Sequence, residues 1–218
     1  MITKDYFLRM INQLASVVAA VLRLRKVKQY DAAVEEVRTS AKQLLGMDLR
    51  LLTTLSDTEL IRLLSLGERF DVEKCVVVAE LLTILGDVHH EQAEEEDAVR
   101  VRLTALSMFL ELSRREAGLL PREYYDKVEN IIKLLVPVGI PARLKKKLFG
   151  YYESLGKFDK AENTLFELIE EDISLVEEGM KFYERLRMKH DEELERGNLP
   201  RIEIEASVLE LARRRGSA

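Results

Sequence analysis

One stretch constrains the fold more than any other: residues 148–169, LFGYYESLGKFDKAENTLFELI. Leu148, Tyr152 and Leu155 recur at three-to-four spacing. Phe158, Ala161, Leu165 and Leu168 do the same, with Gly156 between the two sets. That pattern is one amphipathic helix, a tight turn and a second amphipathic helix. Neither helix buries its stripe alone, so the two pack on each other and the pair packs on further helices. A weaker copy stands at 22–45, LRLRKVKQYDAAVEEVRTSAKQLL, with Tyr30, Ala33 and Val37 in the second helix and Lys28 where the turn glycine would be.

The same periodicity predicts about ten helices, over 3–27, 30–45, 57–66, 71–89, 92–116, 121–136, 141–155, 158–171, 174–196 and 204–214. The first has a wide stripe of Phe7, Met10, Ile11, Leu14, Val17, Val18, Val21 and Leu22. Helix 71–89 is apolar nearly all round, which places it at the centre of the array and makes Cys75 a small core residue. Gly46 and Gly118 are placed to end helices, and Pro121 to start one. His190 continues a stripe from Tyr183 and reads as a semi-buried packing residue. The run VPVGIP at 136–141 holds two of the four prolines. It reads as a tight interhelical turn within one helical domain spanning 1–218, with a sub-boundary near 137–141.

Composition narrows the function classes. The net charge is -5 with both signs mixed, so a general nucleic-acid surface is not expected. A single cysteine excludes an internal disulfide and any multi-cysteine metal site, and suits a reducing cytoplasm. LASVVAAVL at 14–22 is too short to span a bilayer and lacks a signal-peptide cleavage pattern, so no membrane association is expected.

The helix–Gly-x-aromatic–helix–Ala pattern resembles the tetratricopeptide repeat. Gly156, Phe158, Ala161 and Leu165 fit its turn and second helix. Leu148 and Tyr152 fit its first helix, while Phe149 stands where a small glycine belongs. The resemblance implies an all-α, right-handed alpha-alpha superhelix of about ten helices, tetratricopeptide-like. The pairs in the middle of the chain keep the alternation of helices without the signature residues. The opening MITKDYFLRMINQLASV and the Tyr-x-x-Ala helix after it also resemble an uncharacterised bacterial family of Gram-positive type, all-helical with tetratricopeptide-like repeats. That resemblance implies a cytoplasmic origin and brings no activity and no functional residues with it.

Two clusters are candidates for chemistry. In DVHHEQAE, a continuous helix would place Asp87, His90, Glu91 and Glu94 on one face, where carboxylates and imidazole bind a divalent metal. A dinuclear helical site needs a matching Glu-x-x-His element, and His190 is the only histidine outside this segment. The segment therefore reads first as a solvated polar turn. The second cluster is basic, KKK at 145–147 beside Tyr151 and Tyr152. The tetratricopeptide resemblance points Arg143 and Lys146 into the concave groove, with Glu153 on the same side, where a basic residue clamps a peptide carboxylate. The family's clamp also uses an asparagine one turn on, and Gly150 stands there. No nucleophile elbow, phosphate loop or dinucleotide fingerprint is present. The expectation is a non-catalytic protein- or peptide-interaction module, without a cofactor and open to homo-oligomerisation. The alternative is a small metal-binding protein or enzyme using the 87–94 face.

Overall fold

The computed structural model describes residues 4–65, 70–116 and 121–216, with side chains from position 12 to 215 in those spans. Phe7, Met10 and Ile11 of the first apolar stripe, and Gly118, lie outside the described side chains and residues. The described chain is all-α. Its helices are α1 Lys4–Lys26, α2 Tyr30–Leu45, α3 Leu49–Thr54, α4 Asp57–Leu63, α5 Val72–Glu91, α6 Glu95–Arg115, α7 Arg122–Leu135, α8 Ala142–Ser154, α9 Phe158–Glu171, α10 Val176–Arg187, α11 Asp191–Arg196 and α12 Arg201–Gly216. They pack in antiparallel pairs. The chain divides into two compact units, Met1–Gly139 and Ile140–Ala218, inside the Val-Pro-Val-Gly-Ile-Pro run.

One turn recurs in both units. Lys28, Ala93 and Gly156 each carry a left-handed backbone, with φ of 58°, 62° and 68°. The N–H of each bonds the carbonyl three residues back, on Arg25, His90 and Glu153, at 2.9–3.0 Å. The next N–H, of Gln29, Glu94 or Lys157, reaches five residues back at 2.9 Å, to Leu24, His89 or Tyr152. This is the Schellman end of one helix, and its last residue serves as the N-cap of the next. Five residues after each left-handed residue comes an alanine with no exposed surface: Ala33, Ala98 and Ala161. A methyl group there lets the paired helices approach. The α5–α6 pair, without signature residues in sequence, thus has the same turn, with Ala93 in the glycine position and Ala98 in the alanine position.

In the first unit α5 and α6 form the central pair, and α1 and α2 pack on α5. Every residue of α5 from Cys75 to Leu82 is buried. Cys75 is a core residue whose Sγ donates to the Met108 carbonyl at 3.7 Å. The segment before α5 holds two short helices, α3 and α4, where a single one was expected. Asp48 caps α3, accepting from the Arg50 N–H at 2.8 Å. Ser56 and Glu59 form a reciprocal capping box on α4.

In the second unit the α8–α9 hairpin stacks on α10 and α12. The Phe149 and Phe182 rings meet edge-on at 5.2 Å, so the side chain where a glycine was expected fills the α8–α10 contact. Tyr183 donates to Glu162 Oε1 at 2.6 Å, joining α10 to α9. Gly179 sits at a close crossing, where an added Cβ would meet Leu211 Cδ1 at 2.7 Å. The helix expected over 174–196 is broken. Met188–His190 interrupts it, and the Arg201 guanidinium from α12 donates to the freed carbonyls of Arg187 (3.3 Å) and Lys189 (2.8 Å). His190 is exposed at the start of α11, not semi-buried, because the break turns it out of the α10 stripe.

Candidate functional site

The α5–α6 turn separates the four residues that a continuous helix would have aligned. α5 ends at Glu91, and Ala93 reverses the chain. Asp87 and Glu91 face α1, where Arg25 bonds Asp87 Oδ2 at 3.2 Å and Glu91 Oε1 at 2.7 and 3.1 Å. These bonds, first the one to Glu91, raise the Arg25 pKa against the opposing effect of burial, and the same bond holds Glu91 below the usual carboxylate range. Asp87 Oδ1 also accepts from Arg102 at 3.3 Å. Arg102 is 4% exposed and its Nε has no hydrogen-bond partner. These two carboxylates therefore join α1, α5 and α6.

His90 and Glu94 go elsewhere. His90 Nδ1 lies 2.7 Å from Glu95 Oε1, and His89 Nδ1 lies 2.5 Å from Glu94 Oε2. A Schellman turn folds residue i against i+5, which pairs 89 with 94 and 90 with 95. Asp97, one turn into α6, completes a group: His89, Glu94 and Asp97 offer one imidazole nitrogen and two carboxylate oxygens, all within 4.8 Å of one another. His89 and Asp97 are missing from the sequence reading. The signal for His89 is the i to i+5 relation across the turn, and Asp97 follows three residues after Glu94 on the next helix. The donor set suits a divalent ion such as zinc, with water in the remaining position. Asp97 also pairs with Arg100.

The basic cluster on α8 is divided as well. Lys145 reaches α9, with Glu167 at 2.7 Å and Glu171 at 2.8 Å. Burial works against its charge, and the two glutamates outweigh it, so its pKa is raised. Glu153 is held in a two-pronged pair by Arg185 of α10, at 2.7 and 2.9 Å, which raises the Arg185 pKa. Arg143 and Lys146 are exposed, on the same outward face as Gly150 and Ser154. At Gly150 an added Cβ would meet nothing within 4 Å.

A cleft of about 340 Å³ opens between α1, α5 and α7. Leu14, Val18 and Leu22 wall it on one side, and Tyr124 on the other. Glu80, buried, pairs in its wall with the partly exposed Lys127. Burial, then the charges of Glu80 and Glu123, pushes the Tyr124 hydroxyl up to about 12.

These features define an all-α protein of antiparallel helix hairpins. A family described as "Family of unknown function (DUF6483)" matches residues 1–216, and the chain belongs to that family. No curated protein and no solved structure matches it. No described helix is long and apolar enough to cross a membrane.

Proposed function

We propose that the protein is a non-catalytic interaction module of the cytoplasm, a right-handed tetratricopeptide-like array that takes an acidic, extended peptide on the outer face of α8. The observation that carries this reading is Gly150. A glycine inside a helix is about 1 kcal/mol less favourable than alanine. Gly86, Gly179 and Gly197 lie where a Cβ would overlap a neighbour, and Gly46, Gly139 and Gly156 have positive φ. Gly150 has neither reason, since its φ is helical and the space beside it is open. A bare backbone at the centre of an exposed face accommodates a second backbone at close range. Arg143 and Lys146 beside it supply cations for that partner's carboxylates.

Fluorescence anisotropy with labelled acidic peptides tests this. The wild type binds them in preference to basic peptides of the same length. Arg143→Glu with Lys146→Glu weakens binding about tenfold or more, and Gly150→Ala weakens it while leaving the fold intact. Equal binding of acidic and basic peptides, or indifference to all three substitutions, overturns the reading.

A second reading rests on the 4.8 Å grouping of His89, Glu94 and Asp97: a divalent-metal site at the α5–α6 turn. Calorimetric titration of chelator-treated protein with zinc then gives one site per chain, lost in His89→Ala. Absence of stoichiometric uptake removes this reading and leaves the first untouched.

A further inference from the structure

Helix α12 has two apolar faces on opposite sides. Ile204, Val208 and Leu211 are buried within the second unit. Ile202 is 78% exposed and Leu209 61%, with Ala206 exposed between them. At 3.6 residues per turn the outward set points about 180° from the buried set. A helix at a protein surface carries one apolar stripe, and a second marks a further contact.

We propose that this face is where two copies of the chain pair, α12 against α12, antiparallel about a two-fold axis. The stripe itself argues for a second copy. Ile202, Ala206, Leu209 and Arg213 are spaced four, three and four residues apart, a pattern that reads the same in both directions. Antiparallel pairing about the midpoint of 207 and 208 sets Leu209 into the space over Ala206 of the second copy. It also lays Ile202 along the aliphatic stem of the copy's Arg213. The contact is self-complementary, as a two-fold interface must be. The charges agree. The first turn of α12 is acidic at Glu203; in its basic last turn Arg214 and Arg215 pair with Glu210 and Glu177 of the same chain, and Arg213 lies on the outward stripe. Antiparallel pairing puts acid beside base at both ends and opposes the helix dipoles, whereas parallel pairing sets like beside like. A helix of 16 residues is about 24 Å long. One such pair covers less than the ~800 Å² per partner of a standard stable interface. The dimer is therefore weak and concentration-dependent.

Sedimentation velocity on the full chain, from low to high micromolar, tests the proposal. The expected result is a reversible monomer–dimer equilibrium. Leu209→Glu, at an exposed position, gives a monomer with unchanged helical circular dichroism. Glu203→Arg or Arg213→Glu alone weakens the dimer about tenfold, and the two together restore it. A wild type that stays monomeric, a Leu209→Glu variant that dimerises like wild type, or a higher oligomer overturns the proposal. Failure of the double reversal to restore pairing overturns the antiparallel arrangement.

Discussion

Ala93 holds the same backbone as Gly156, with φ of 62° against 68° and the same pair of turn hydrogen bonds. A side chain in this left-handed region crowds its own carbonyl, and glycine does not. Ala93→Gly is therefore expected to stabilise the protein by about 1 kcal/mol, and Gly156→Ala to destabilise it by about as much. The nearest atom to a Cβ on Gly156 is the Phe158 ring at 3.9 Å, so backbone strain alone decides the sign. Urea denaturation at fixed pH measures both. A stabilising Gly156→Ala would show that the turn relaxes to another geometry.

Two glycines of the second unit should respond in opposite ways. Gly197 lies against the α8–α9 turn, where Asp159 N–H donates to its carbonyl at 3.1 Å. An added Cβ would overlap the Phe158 ring and approach the Gly156 carbonyl oxygen at 2.6 Å. Gly197→Ala is expected to cost about 2 kcal/mol or more. Gly150→Ala, with open space around it, is expected to add about 1 kcal/mol of stability by raising helix propensity. Thermal melts of the two variants side by side test the contrast.

Asp87 is the charge partner of buried Arg102. Asp87→Asn leaves that guanidinium without compensation and is expected to cost about 3 kcal/mol. Arg25→Gln is expected to cost less, about 1 kcal/mol, because its two carboxylate partners are a third exposed. Equal losses in chemical denaturation would mean that Arg102 draws its compensation from elsewhere.

Two buried glutamates pull stability in opposite directions with pH. Burial of Glu111 opposes its charge, but Arg114 and Arg115 outweigh that and lower its pKa. Its contribution is present above the unfolded carboxylate value, about 4.3, and is lost as pH falls through the lower folded value. Glu73 is raised, first by burial and then by Asp71, and one of its buried oxygens has no hydrogen-bond partner. The folded state holds its proton more tightly, so stability falls as pH rises from about 4.3 through the folded value. Glu73→Gln should then stabilise at neutral pH, by roughly 1 kcal/mol, with the gain vanishing in acid. Glu111→Gln should destabilise at neutral pH, with the difference shrinking in acid. Denaturation midpoints across the acid range, giving the same sign for both variants, would refute this assignment.

Much of the fold was legible because each helix has its own local signals. Helices 30–45 and 158–171 have the expected bounds. Both have strong apolar stripes, one ending in left-handed Gly46 and the other starting after left-handed Gly156. The break in 174–196 was not legible, because the stripe runs through Met188 without a Gly or Pro to mark it. A side chain from another helix, Arg201, satisfies the carbonyls there. The junction between helices 71–89 and 92–116 was legible, but the form of its turn was not, because Ala93 takes the place of a turn glycine and nothing local marks it.

The tetratricopeptide resemblance put Arg143, Lys146 and Glu153 on one side of α8; Arg143 and Lys146 are exposed, whereas Glu153 is held by Arg185. Asp87, His90, Glu91 and Glu94 share a face only on a continuous helix, and the turn at Ala93 divides them between Arg25, Glu95 and His89.

By itself, the sequence determined that this chain is helical, which faces most of its helices bury, and that α5 is a core helix, central within the first unit, because three-to-four periodicity expresses the hydrophobic effect locally. Tertiary structure alone decided which charges are used up and which are presented. Arg25 takes Asp87 and Glu91, Arg185 takes Glu153, and the turn at Ala93 brings Asp97 to His89. Those choices depend on distances between helices far apart in the chain, and a linear pattern of residue types does not encode them.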